Sequence, residues 1–465
     1  MNLEGKRIND ERGNTYELER ELGRGGQGAV YAAKGGKRAI KILFDRSSSR
    51  RELLRGQLQD IRRMHELRDL AIASPLEMLQ APHLGYVMEL ITGMTSIAQL
   101  IHPPHDAKSL SEWYLCGGGL RRRLLLLARC AEVLAQIHSK GLVYSDPSPN
   151  NIFVSSDLDA HEIRLIDTDN LHYESSSSTR SFYTPGYGAP ELVLRKSGVN
   201  TLTDAHAFAT IAFRTLCLIH PLMGDLVLDG EPELEEKALE GALPWVDDLE
   251  DRSNATIHGF PRDIVLSPNL KKLCHRSFSE GLLEPTKRPG ISQWVENLYS
   301  AADSTIECPD CSSTYYINQK YCPWCNCPRP SLVKLAIKRW EPLAKVEDCN
   351  KFLNTQNNLA VLSVTEQQPL ILTNRIINGR TGPNSHSPEV ELQLEATNVR
   401  IRSLNGQCFW LSFLKANKRI FVEIQDSWKR FPASDSSYDC LLHFAPADRP
   451  HRVAIFKFIS GGHSS

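Results

Sequence analysis

Long apolar runs are missing from this sequence. The densest, Leu124-Leu125-Leu126-Leu127, follows Arg121-Arg122-Arg123 and reads as one face of a helix, far short of the roughly 20 apolar residues that span a bilayer. An excess of either charge is missing too: 54 Lys+Arg oppose 55 Asp+Glu, a formal net charge of -1. That balance argues against nucleic acid as the main ligand. The opening residues, Met1-Asn2-Leu3-Glu4-Gly5-Lys6, carry no apolar signal core, so a cytoplasmic location with no membrane partner is expected. Cysteine is not scarce, at 12 residues, but it is unevenly placed. Cys308, Cys311, Cys322, Cys325 and Cys327 crowd together while the rest are scattered singly, which reads as a metal site plus reduced thiols. At 465 residues the chain is too long for one ordinary core, and two or three domains are expected.

What is present begins with Leu22-Gly23-Arg24-Gly25-Gly26-Gln27-Gly28-Ala29-Val30-Tyr31, followed by Ala39-Ile40-Lys41. Gly23, Gly25 and Gly28 remove side chains that would keep backbone N–H groups away from phosphate oxygens. Val30 can cover a flat base, and Lys41 can place a point charge on the phosphates. A lone glycine pattern of this kind most often marks an ordinary turn; the following lysine and the residues downstream strengthen it.

Residues 16–45 alternate short apolar runs with glycine turns, a β-hairpin pattern. From 48 to 70 Leu54, Leu58, Ile61, Met64 and Leu67 recur at helical spacing. Residues 85–91 return to strand, and helices dominate from about 120, including 120–139 and 204–219. The segment 303–330 has no periodicity of useful length. Beyond 350 period-two alternation takes over, and Asn405-Gly406 predicts a type I′ hairpin turn.

Asp146 and Asn151, five residues apart and just before the apolar run Ile152-Phe153-Val154, place a base and a metal ligand on one tight loop. Asp167 follows Leu165-Ile166 and supplies a second oxygen ligand of the kind Mg²⁺ prefers. Turn or capping roles are the usual fate of such side chains, but here they occur together and in order.

These residues resemble those of a eukaryotic-type (Hanks-type) Ser/Thr protein kinase, a bacterial member in character, with the match running from about 14 to 300. The resemblance implies an α+β fold of two lobes, β-rich then helical. It makes Lys41 and Asp146 catalytic, and assigns Gly23, Gly25, Gly28, Val30, Ala39, Lys41, Met88, Glu89 and Leu90 to ATP and Asn151 and Asp167 to Mg²⁺ (or Mn²⁺). Thr184 in Thr184-Pro185-Gly186-Tyr187-Gly188-Ala189-Pro190-Glu191 matches the end of an activation segment. Glu191, Asp204 and Arg288 match its bracing residues. The implied activity is transfer of the γ-phosphate of ATP to Ser/Thr hydroxyls of proteins, this chain included, with a cognate protein phosphatase as a partner.

The departures are informative. The usual His-Arg-Asp reads Tyr144-Ser145-Asp146, so the arginine that binds an activation-loop phosphate is absent and independence from phosphorylation across 175–181 is expected. Ser148 replaces the lysine two residues after the base, and Asp-Phe-Gly reads Asp167-Thr168-Asp169. Asp169 reads first as a polar turn residue and second as a metal ligand. For the acidic partner of Lys41, helix register favours Asp60 over Glu52. The serine run 175–178 is most simply a solvated loop, with autophosphorylation the less common reading.

Cys308-Pro-Asp-Cys311 and Cys322-Pro-Trp-Cys325 have the spacing of two metal knuckles and resemble a zinc ribbon over 304–330, with Cys327 spare. Residues 345–461 read as a β-sandwich or small barrel of six to eight strands that carries no catalytic motif. Two other classes stay open: a nucleotide-binding pseudokinase scaffold acting through the ribbon and β domain, and a small-molecule phosphotransferase.

Overall fold

A computed structural model describes residues 3–44, 47–175, 182–342, 346–379, 381–382, 384–415, 418–433 and 440–462. The chain divides into two compact units, one of residues 1–106, 126–260 and 271–295, the other of residues 107–125, 261–270 and 296–465. No helix among the described residues is long and apolar enough to cross a membrane.

The first unit opens with a six-stranded antiparallel sheet in the order Arg7–Asn9, Thr15–Arg24, Gly28–Ala33, Arg38–Leu43, Gly85–Glu89, Glu77–Met78. Alternation drives it: Leu18, Tyr31, Ile40 and Val87 all point into one core. Two glycines let the central strand's neighbours close on it. A Cβ at Gly28 would stand 2.5 Å from the Ile42 carbonyl oxygen, and one at Gly85 only 2.0 Å from that of Lys41. Helix Ser48–Arg63 packs Leu54 and Leu58 against Leu43, Met78 and Tyr86. It ends at Arg63, short of the 70 expected, because Met64 turns to extended backbone before a short 3-10 turn at His65–Leu67.

The helical half of this unit is organised around Thr201–Cys217, which is buried along most of its length. Asn200 starts it with a reciprocal cap: its side chain accepts the Leu202 and Thr203 N–H groups while the Thr203 hydroxyl accepts that of Asn200. Phe208 meets Trp294 edge-on with ring centres 5.8 Å apart.

In the second unit, a hairpin of Thr305–Glu307 and Thr314–Tyr316 carries the first cysteine pair, although the sequence showed no strand periodicity there. The module is anchored within its unit. Trp324 stacks on Tyr114 at 5.7 Å, Tyr316 Oη donates to the Val265 carbonyl, and the half-buried Arg121 donates to Thr305.

The remainder is a sandwich. One sheet runs Ala360–Val364, Leu332–Trp340, His451–Ile459, Cys440–His443, Phe409–Lys415, Lys418–Ile424; the other runs Leu370–Thr373, Pro388–Glu395, Asn398–Ser403, Lys429–Pro432. Val333, Leu335, Val390, Leu392 and Ile401 interleave in one core. Two expectations need correcting. The sandwich takes in Leu332–Trp340, ahead of the expected start at 345, since this strand pairs along its whole length with His451–Ile459; and among the described residues its sheets of six and four strands exceed the six to eight expected. Asn405-Gly406 does not join a hairpin: Asn398–Ser403 and Phe409–Lys415 lie in different sheets, so this turn crosses between layers. Only Gly406 there has positive φ, at 75°, whereas a type I′ turn needs two such residues.

Candidate active site

Lys41 leaves the middle of its strand opposite Val30 on one side and Tyr86 on the other, and is buried. Its ammonium meets two carboxylates. One is Asp167; the other is Asp169, whose Oδ1 and Oδ2 lie 2.9 and 2.7 Å from Nζ. Asp169 is itself fixed, by the Tyr86 hydroxyl at 3.1 Å on Oδ1 and by the Gln57 amide at 2.5 Å on its carbonyl. Asp60 does not pair with Lys41, nor does Glu52: both are exposed on helix Ser48–Arg63, and Gln57, one turn before Asp60, is the helix residue that reaches the site.

Electrostatics separate the two acids. Burial raises the Asp167 carboxyl to about 6, the neighbouring Asp169 charge adding to the rise and Lys41 opposing it. Burial also acts on Asp169, but Lys41 and its hydrogen bonds outweigh it and hold that carboxyl below its ordinary value. The same pair keeps Lys41 charged despite its desolvation. Two anions facing one cation leave an excess negative charge suited to a divalent ion.

The loop that carries Asp146 hangs from Asp204, which is fully buried and accepts the Tyr144 N–H at 2.8 Å and the Ser145 N–H at 3.0 Å. His138 Nε2 lies 3.0 Å from the same carboxylate. Asp146 follows; Asn151 donates its amide to the Asp146 carbonyl at 3.1 Å, and the Asn151 carbonyl accepts from Ile166 at 2.9 Å. Asn151 and Asp167 are thereby tied to one another through the chain between them. Ser145 has φ of 86°, and its hydroxyl donates to the Asn170 carbonyl at 2.9 Å.

Thr184 sits on the Asp146 carboxylate, its N–H and hydroxyl both 2.9 Å from Oδ1. Burial raises the Asp146 pKa and these bonds partly offset the rise. Behind this segment Arg288 clasps Glu191 at 2.6 and 2.7 Å. Of the serine run 175–178, and of the segment 175–181 as a whole, residues 176–181 lie outside the described residues.

The positions expected to cover the base fall on one stretch of sheet: Ala39 is buried opposite Met88, Val30 is half-buried, and Glu89 and Leu90 follow on the strand's exit. Nothing lies within 4 Å of where a Cβ at Gly23 or Gly25 would point, so the glycine turn faces open space. Gly28 differs, its missing side chain serving strand packing.

In the second unit the four sulfurs of Cys308, Cys311, Cys322 and Cys325 lie within 4.8 Å of one another. The knuckles are built alike: the Cys308 carbonyl accepts from Ser312 and that of Cys322 from Asn326, residues with φ of 56° and 64°. Cys327 is turned toward Asp310 instead.

Sequence reasoning missed Gln57 and Tyr86 and undervalued Asp169. Gln57 stands one turn ahead of Ile61 and two ahead of Met64, a spacing that would have found it.

Comparison with known proteins agrees with this geometry. The protein kinase domain model matches residues 16–300. The DNA damage-responsive serine/threonine-protein kinase RqkA of Deinococcus radiodurans is 29% identical over 224 residues, 45% of this chain and 31% of that protein. Serine/threonine-protein kinase pkn2 of Myxococcus xanthus is 26% identical over 223 residues, 45% of this chain and 25% of its own length. Protein kinase YegI of Escherichia coli strain K12 is 25% identical over 335 residues, 67% of this chain and 49% of that protein. The chain thus spans under a third of the first two relatives. With the lysine, the paired acids and the braced catalytic loop in place over the matched residues, the chain belongs to the protein kinase family.

Proposed function

We propose that this chain is an ATP- and Mg²⁺-dependent kinase that transfers the γ-phosphate of ATP to Ser/Thr hydroxyls of proteins. The observation that carries the reading is the hydrogen-bonded continuity from Lys41 through Asp167 and Asn151 to Asp146 within one unit. Lys41 orients the α- and β-phosphates beside the open turn at Gly23 and Gly25. Asn151 and Asp167 are hard oxygen donors next to an excess negative charge, and they would hold Mg²⁺ or Mn²⁺. Such an ion supplies neutralisation of the phosphate oxygens. Asp146 accepts the hydroxyl proton of the substrate; the Thr184 hydroxyl on its carboxylate supports an aliphatic alcohol as the acceptor.

The cysteine centre fits zinc. Cys308 and Cys325 sulfurs are 3.5 Å apart and those of Cys311 and Cys322 3.7 Å. Four sulfurs at about 2.3 Å from a tetrahedral ion stand about 3.8 Å from each other. The ribbon and sandwich serve recruitment rather than chemistry.

The test is phosphate transfer from labelled ATP with Mg²⁺ to a generic protein substrate, comparing the wild type with Asp146→Asn. Label on Ser or Thr that falls by about a hundredfold or more in the variant supports the reading. Equal label in both, with ATP still bound, would leave a nucleotide-binding scaffold.

A further inference from the structure

We infer that Asp169 takes the part of the helix carboxylate: it positions Lys41 for the nucleotide, while helix Ser48–Arg63 contributes only the neutral amide of Gln57. This rests on the kinase reading above and names how its lysine is held. Asp169 grips Lys41 with both carboxylate oxygens, and the grip is over-determined. Tyr86, one strand away, donates to Oδ1, and Gln57 donates to the Asp169 carbonyl. Asp169 is buried, with 4% of its surface exposed.

The helix offers no substitute. Its face toward the site carries Leu54, Gln57 and Leu58, whereas Glu52 and Asp60 are exposed. Asp167 touches the same ammonium, but its side chain keeps 33% of its surface accessible, against 5% for Asp169. With Asp167 holding a divalent ion, Asp169 would still serve as the counter-ion of the lysine. Asp167 caps and Asp169 lies within one 3-10 turn, Thr168–Asn170, whose Thr168 hydroxyl is tied to the Ala73 carbonyl at 2.8 Å. The lysine anchor and the metal ligand are therefore parts of one rigid turn. Swinging the helix in or out does not make or break the lysine's ion pair, so this kinase lacks the helix-carboxylate switch.

The experiment compares the wild-type full chain with Asp169→Asn, Asp169→Ala, and Asp169→Ala combined with Gln57→Glu. ATP turnover and Mg²⁺ dependence are measured alongside thermal unfolding. The single variants are expected to lose about a hundredfold in kcat/KM for ATP. Gln57→Glu, returning a carboxylate from the helix side, is expected to recover at least tenfold. A purely structural loss would not be rescued from another element. Loss accompanied by a raised Mg²⁺ requirement and no rescue would make Asp169 a metal ligand and overturn the inference. Near-normal activity of Asp169→Asn would overturn it equally.

Glu52→Ala and Asp60→Ala, both at exposed positions, test the helix acids directly and keep the inference falsifiable where an Asp169 variant fails to fold. Each is expected within twofold of the wild type, and a loss of about a hundredfold in either would restore the helix acid as anchor. Should the wild type transfer no phosphate, the kinase reading fails by itself. The anchor is then read from MgATP affinity, weakened in Asp169→Asn and recovered in the double variant if the inference holds, unchanged in both if it does not.

Discussion

Arg288 holds Glu191 through both ends of its guanidinium group, at 2.6 and 2.7 Å, with only 1% of the arginine side chain exposed to solvent. It also donates to the Gly281 and Leu202 carbonyls, so it joins the activation segment's end to two other stretches of chain. Arg288→Ala leaves Glu191 without its cation in a largely dry site. Loss of about 3–5 kcal/mol is expected, read as a lower urea midpoint for the first unit. Arg288→Lys should recover only part of this, since one ammonium cannot match both carboxylate oxygens.

Asp204 gives a second expectation. Its carboxylate is the acceptor for two buried N–H groups, those of Tyr144 and Ser145. Asp204→Ala orphans both, at about 1–3 kcal/mol each, and frees the loop that carries Asp146. Turnover should fall more than ATP affinity does, which a kcat-against-KM comparison checks.

Removing metal from the cysteine centre should act locally. Four thiols brought within 4.8 Å would repel as thiolates without a cation. A strong chelator, or Cys308→Ser, is expected to release about one equivalent of zinc, measured with a colorimetric indicator. It should also quench the stacking of Trp324 on Tyr114, seen as a change in near-ultraviolet dichroism. Retention of the native spectrum in metal-free protein would show the anchoring bonds suffice alone.

Acid should weaken the sandwich. His443 is buried with Ser412 Oγ at 2.9 Å on Nε2 and His451 Nε2 at 3.0 Å on Nδ1. Burial first, then the charges of His451 and Arg419, hold its pKa down to about 3. In the unfolded chain an imidazole titrates near about 6.5. As pH falls below that value, the unfolded chain takes up a proton that the folded domain refuses. The contribution is therefore intact above about pH 6.5 and is lost at up to about 1.4 kcal/mol per unit toward pH 3. Fluorescence of Trp340, whose ring centre is 4.7 Å from that of His443, reports it, and His443→Gln should flatten the decline.

Substituting the serines and threonines of 175–181 with alanine should leave turnover unchanged. The residue that would read a phosphate there is Ser145, whose hydroxyl is already engaged by Asn170 and His172. Complete loss of phosphate transfer would refute this.

The landmarks that were legible in the sequence are those whose chemistry demands one residue type at a fixed local spacing. Asp146 and Asn151 share a loop, and the two cysteine pairs share a knuckle geometry. The partner of Lys41 was not legible, because two acids on the helix competed and side-chain direction separates Gln57 from Asp60 by only one turn. Asp169 looked like a turn residue because its position in a turn is local, while its burial against Tyr86 is not. Similarly, Leu332–Trp340 mixes Lys334, Lys338 and Arg339 with Val333, Leu335 and Ile337. Those charges interrupt the apolar alternation, yet the aliphatic stem of Lys338 is buried and its ammonium donates to the Leu353 carbonyl. Asn405-Gly406 has the right letters for a hairpin; only the sheet assignment of its flanks decides otherwise.

The antiparallel match of Leu332–Trp340 to His451–Ile459 imposes an order of assembly. A strand near the start of the sandwich has its longest partner at the end, with the other strands strung between them. On the ribosome, at about 5–20 residues per second, the earlier strand emerges many seconds before its mate. Until then only Ala360–Val364 can cover one of its edges, and Lys334, Lys338 and Arg339 are placed as charges that oppose aggregation of its apolar side.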